Sequence, residues 1–191
     1  MGEHDALLAV VERIYPLGKA LRDSLVKHSR PVSFEKGKLL LSEGQVSTKM
    51  YFIHTGLVRG YYVHNLREAN TGFMAEMDFV ISPVSFYSQQ PSYEFLEVVE
   101  PAHLLEISLD KLNHLYDTFP EFNLIGRKIT ESYYLRSELR AHHLRTQTAE
   151  ERYNKFLHDY GRLLNRLSNK HIASFLGLSQ ETVSRIRAKK K

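Results

Sequence analysis

At 191 residues, with 42% hydrophobic and 25% charged residues, the chain has the bulk of one ordinary domain, or of a medium domain with a small appendage, and the balance of a soluble globular protein. The absence of cysteine excludes disulfides, thiolate nucleophiles and cysteine-ligated zinc or iron–sulfur clusters. The net charge of +4 is unevenly placed: residues 162–191 carry a local +7, with Glu181 their only acid, so the first 161 residues sum to −3, and a mildly acidic body with a basic end points to a polyanion partner.

In chain order, the start carries acids among its apolar residues and lacks the basic opening and small-residue cleavage site of a secretory signal. No run approaches the roughly 20 apolar residues of a membrane helix, so no membrane association and a cytoplasmic location are expected. Residues 3–28 read as helical. Leu7, Leu8, Val11, Ile14 and Tyr15 recur at helical spacing, Pro16 breaks the run, and Leu17, Leu21 and Leu25 repeat every four residues.

From about 31 to 107 the period changes. Short segments rich in β-branched and aromatic residues (KLLLSE, MYFIH, GLVRGYYVH, FLEVVE) alternate with turn signals at Lys36-Gly37, Glu43-Gly44, Thr55-Gly56, Asn70-Thr71-Gly72 and Ser82-Pro83. Evenly spaced short strands of this kind predict an antiparallel sandwich or barrel.

The helical period returns at 108. A short helix is expected over about 108–117, then a long one over about 120–145 carrying Phe122, Ile125, Ile129, Tyr133, Leu135 and Leu139. Its apolar stripe needs a partner, either the chain's own strands or a second protomer, although Ser132 and Arg136 interrupt a strict heptad seam. The next segment, TAEERYNKFLHDYG, opens with Thr148 and has Glu151 three residues later, a capping box.

The strongest pattern is in residues 169–191. Ile172, Ala173 and Leu176 form one stripe, and Gly177 stands where a helix ends in a left-handed residue. Ser179 is a good N-cap for a second helix, whose underside is Val183 and Ile186. Ala173 must be small where two helices cross through a three- or four-residue turn. A small residue, glycine four later, and apolar residues six and nine beyond that glycine make the helix-turn-helix pattern.

The outer face of the second helix then presents Gln180, Glu181, Thr182, Ser184, Arg185 and Lys189. Gln and Arg make bidentate contacts to adenine and guanine edges, and Glu accepts from a cytosine amino group. Ser179, Thr182, Lys170 and Lys189 suit phosphate oxygens, while Arg187, Lys190 and Lys191 read as backbone contacts or general affinity. Double-stranded DNA is the expected partner.

With these residues in view, the chain resembles the Crp/Fnr family of transcription regulators over nearly its whole length. SFEKGKLLLSEGQVSTKMYFIHTGLVRGYYVH (33–64) resembles that family's opening strands, and LSNKHIASFLGLSQETVSRIR its DNA-binding module, with SQETVSR the most specific match. The resemblance implies an α+β protein: an antiparallel cyclic-nucleotide-binding-like β-roll with flanking helices (1–118), a dimerisation helix (119–146) and a helix-turn-helix domain (147–191). It also implies a homodimer on a near-palindromic site, with Gln180, Glu181 and Arg185 at the base-contacting positions and RNA polymerase as a candidate partner.

Two departures qualify the resemblance. In cyclic-AMP-binding members a cassette supplies a Gly-Glu pair and, about ten residues on, an Arg-Ser pair; here Ile81 and Ser82, then Ser92 and Tyr93, occupy those places. A buried cyclic phosphate needs a cation and close backbone amides, so cyclic AMP is not the expected effector. The chain also ends at Lys191, where relatives continue into a β-hairpin wing.

Two further readings stand beside this one. The roll could be a ligand-free scaffold rather than a sensor of another small molecule. His54 and His64 in the strand region raise a cupin-type metal enzyme, but the His-x-His pair that a cupin places shortly before a Glu is missing, since Asn65 and Leu66 follow His64, with Glu68 beyond. Glu76 and Asp78 have no catalytic partners in the sequence, and adjacent His142 and His143 point about 100° apart on a helix. No enzyme activity, metal or cofactor is therefore expected.

Overall fold

The computed structural model describes residues 2–189, so the calls on Lys190 and Lys191 lie outside the described residues. The chain falls into two compact units. One comprises everything up to Tyr62 together with Gly72–Thr130; the other comprises Val63–Thr71 together with everything from Glu131 onward.

The first unit begins with helices α1 (Glu3–Glu12) and α2 (Lys19–His28), separated as expected around Pro16. Strands β1 (Arg30–Phe34), β2 (Leu39–Leu41), β3 (Lys49–His64), β4 (Arg67–Met74), β5 (Phe79–Val80) and β6 (Phe95–Ser108) form one sheet with a path β1-β6-β3-β4. β2 also pairs with β6, and β5 with β3, all antiparallel. Strand alternation sends β3 to two cores. Phe52 faces a cluster with α1, α2 and α4 (Leu109–Thr118), while Tyr51 and Ile53 face the interior of the roll with Leu96, Val98 and Leu104.

Three turn expectations are corrected. Thr55-Gly56 is not a turn but a bulge within β3, where the register against β6 shifts between Ile53 and Val58. Gly56 has φ +109°, and a Cβ there would lie 2.5 Å from the Ala102 Cβ and 2.7 Å from its Cα. Glycine is required because two backbones meet, so MYFIH and GLVRGYYVH fuse into a single strand. Asn70-Thr71-Gly72 runs inside β4. The hairpin instead turns at Asn65 and Leu66, both at positive φ (49° and 60°), a conformation leucine seldom adopts and local propensity does not foretell. Ser82-Pro83 opens an additional helix, α3 (Pro83–Ser88), with proline at its first position.

Helix α5 (Pro120–Thr146) is the long helix expected, 27 residues and about 40 Å at 1.5 Å per residue. Phe122 and Ile125 bury its first turns in the first unit. Further along, Tyr134, Leu135 and Leu139 are 62%, 60% and 54% exposed. The second unit comprises the hairpin tip, the rest of α5, α6 (Ala149–Tyr160), a 3₁₀ turn (Gly161–Leu163), α7 (Asn169–Leu176) and α8 (Gln180–Ala188).

Candidate nucleic-acid interface

The helical module is organised around aromatic side chains. Phe156 and Tyr160 of α6 stack at 5.4 Å, and both meet Phe175 of α7, at 6.0 and 5.5 Å. The capping box at the start of α6 forms as expected: Thr148 N–H donates to Glu151 Oε2 (2.8 Å) and Glu151 N–H to Thr148 Oγ1 (3.3 Å). The Thr148 amide, with the Thr148 hydroxyl donating to the same oxygen at 2.8 Å, holds the Glu151 carboxyl below its ordinary value. Ser168, not singled out from the sequence, caps α7 by accepting from His171 N–H at 3.1 Å.

The end of α7 leaves four backbone carbonyls without helical partners, and each is satisfied. Gly177, at φ +64°, forms a Schellman turn in which Leu178 N–H donates to the Ala173 carbonyl (2.9 Å) and Gly177 N–H to that of Ser174 (3.2 Å). Arg140 Nη2 of α5 donates to the Phe175 carbonyl (3.0 Å), and Arg152 Nη1 of α6 to that of Leu176 (2.8 Å). Two guanidinium groups at the negative end of the helix also match its dipole. The turn between the two helices is thus fixed from both sides.

Ser179 caps α8 as expected, accepting from Thr182 N–H at 3.2 Å, with the two hydroxyls 3.1 Å apart. Val183 and Ile186 are buried beneath α8, and Ile172, Ala173 and Leu176 are buried in α7, matching the stripes read from the sequence. Gln180, Glu181, Ser184, Arg185 and Lys189 are exposed, and Thr182 is half-buried. Glu181, Ser184 and Arg185 share one stripe, since positions three and four apart lie on the same helix face. Backbone hydrogen bonding in the first turn, with the Ser179 hydroxyl, holds the Glu181 carboxyl below its ordinary value, so it remains an acceptor.

Two basic residues have acceptors within the protein. Arg187 does not face outward: its Nε donates to Tyr153 Oη (2.8 Å) and its Nη1 to Asn169 Oδ1, tying α8 to α6 and to the start of α7. Lys170 reaches Glu68 Oε1 at 3.2 Å, on the hairpin between β3 and β4. Arg140, Arg152 and Ser174 were not singled out in the sequence, and Glu68 entered only in the cupin comparison. Their partners lie 24 to 106 residues away, beyond any local period.

The cassette positions lie in the first unit. Ser82 Oγ and Ser92 Oγ sit 3.2 Å apart and buried, and Ser92 Oγ also engages the Glu94 backbone at 2.9 and 3.0 Å. Ile81 packs against the helical core cluster, and Tyr93 is exposed. The buried Arg59, 4% exposed, donates from both Nε (3.0 Å) and Nη2 (2.6 Å) to the single oxygen Oε2 of Glu97 and lies over the Tyr61 ring at 4.0 Å. Among the described residues no group of three His, Asp or Glu side chains is placed to hold a metal ion. No helix among them is long and apolar enough to cross a membrane.

Residues 31–119 match the family model for the cyclic nucleotide-binding domain. The chain is 23% identical over 176 residues to an anaerobic regulatory protein of Aggregatibacter actinomycetemcomitans, covering 86% of this chain and 67% of that protein. In structure it is similar to the c-di-GMP responsive global regulator CLP of Xanthomonas campestris, with TM-score 0.71, 19% identity and 91% of each chain covered. It is similar also to a protein assigned to the transcriptional regulators of the Crp/Fnr family from Eubacterium rectale, with TM-score 0.70, 14% identity, and 91% and 83% covered.

Proposed function

We propose that this chain, a transcription regulator of the Crp/Fnr type, binds a near-palindromic DNA site as a homodimer and reads it with α8. The observation that carries the reading is the rigid helix-turn-helix. All four terminal carbonyls of α7 are capped, and α8 is held from beneath while Gln180, Glu181, Ser184 and Arg185 stand clear. Gln180, Glu181 and Arg185 read base edges in the major groove. The amides of the first turn of α8, with Ser179, Thr182 and Lys189, hold phosphates. Two such helices about 34 Å apart on a twofold axis define two half-sites.

The exposed face of α5 is the dimer surface in this reading, because Tyr134, Leu135 and Leu139 are too apolar to be left to water along one helix. The double variant Leu135→Glu with Leu139→Glu removes no side chain from the monomer core. It is expected to weaken the dimer at least ~100-fold in sedimentation equilibrium, a like charge facing a like charge across the axis. An unchanged dimer would place the interface elsewhere.

Cyclic AMP is not the effector in this reading. Ser82 and Ser92 bond each other where a cyclic phosphate would need a cation, and Ile81 fills the place of the close backbone approach. The test is selection from a randomised duplex pool, then a salt titration of the winners with and without cyclic AMP. A palindromic motif, a steep salt slope and superimposable curves are expected. Enrichment of a non-repeated motif would remove the twofold reading, and a shift with cyclic AMP would restore the family's effector.

A further inference from the structure

The tip of the β3–β4 hairpin is held against α7 by its backbone. Ser174 Oγ donates to the Glu68 carbonyl (2.7 Å) and accepts from Asn70 N–H (2.9 Å). Asn70 Nδ2 donates to the His171 carbonyl (3.4 Å), and Arg140 Nη2 to the Asn70 carbonyl (2.9 Å). Backbone anchored at residues 68 and 70 keeps the Glu68 side chain within reach of α7, and its carboxylate meets the Lys170 ammonium at 3.2 Å.

Lys170 stands in the first turn of α7, where the helix dipole disfavours a cation. It therefore gains from any anion brought close, and two anions compete for it: the Glu68 carboxylate and a DNA phosphate. Its side chain is 59% exposed, so a phosphate can reach it. A carboxylate left beside that phosphate repels it.

Resting on the DNA-binding reading above, we propose that Glu68 sets DNA affinity by competing with the DNA backbone for Lys170. The hairpin is a built-in counter-anion on the phosphate-binding side of the helix-turn-helix. Releasing Glu68 adds one phosphate contact per protomer. Keeping it in place holds affinity down without altering which bases are read, because the contact it contests is to phosphate, which carries no sequence information.

The test uses the full chain, the selected duplex and anisotropy titrations from 50 to 300 mM salt. Glu68→Gln keeps the shape and removes the charge. It is expected to tighten binding three- to tenfold at low salt and to steepen the log–log salt slope by ~0.9 for each phosphate gained. Lys170→Gln leaves the Glu68 carboxylate beside the phosphate with no Lys170 ammonium to offset it, and is expected to weaken binding. The E68Q/K170Q pair, neutral again, is expected to bind no tighter than the parent chain. Base preferences should be unchanged throughout. An E68Q variant with parental affinity and slope overturns the proposal, as does a gain that persists in the E68Q/K170Q pair, which would be a general charge effect. If the parent chain selects no sequence, the DNA-binding reading fails and this inference with it. If the parent selects and E68Q changes nothing, only the inference fails.

Discussion

Arg185→Ala is expected to cost about 1–3 kcal/mol per half-site on the preferred duplex and to flatten preference at one base position while leaving the others intact. The reason is positional. Arg140, Arg152 and Arg187 each donate to an internal acceptor, to the carbonyls of Phe175 and Leu176 and to Tyr153 respectively. Arg185 is exposed on the stripe that also carries Glu181 and Ser184. Its planar fork suits a guanine edge, where lysine would offer only a point charge. The check is a panel of duplexes, each carrying one base substitution, titrated with both proteins. A uniform loss across the panel would assign Arg185 to phosphate anchoring and remove it from the readout.

Gly56→Ala is expected to destabilise the first unit by about 3 kcal/mol or more, measured by urea unfolding, since it combines overpacking with a strained backbone. The added Cβ would meet the Ala102 Cβ at 2.5 Å, the Ala102 Cα at 2.7 Å and the Pro101 carbonyl at 2.9 Å, and the backbone sits at φ +109°. Two of those three atoms are backbone of the neighbouring strand, which cannot rotate away as a side-chain tip can. Ala102→Gly in the same chain relieves the Cβ contact alone, so only partial recovery is expected. A loss below ~1 kcal/mol for the single variant would show that the strands separate easily there.

The helix-turn-helix was legible because its determinants are local. Ala173, Gly177, Ser179, Val183 and Ile186 lie within fourteen residues, and each is explained by a crossing, a left-handed turn, a cap or a buried stripe that adjacent residues dictate. The same holds for the Thr148 capping box, the break at Pro16 and the extent of α5. The exposed face of α8 followed by subtraction once its buried side was known.

Three things came only from the folded chain. Gly56 resembles a turn glycine in sequence, and only the approach of Ala102 shows that it joins two apparent strands into β3. Arg187 reads as one more cation in a basic tail, whereas packing against Tyr153 makes it a brace. The caps supplied by Arg140 and Arg152, and the counter-anion Glu68, depend on partners brought together by tertiary structure. Sequence by itself determined most of the helices and the buried and exposed faces of α7 and α8, because periodicity and caps act over one or two turns. Which cations meet internal acceptors was decided by the tertiary structure alone, because a hydrogen bond across a hundred residues leaves no periodic trace in the chain.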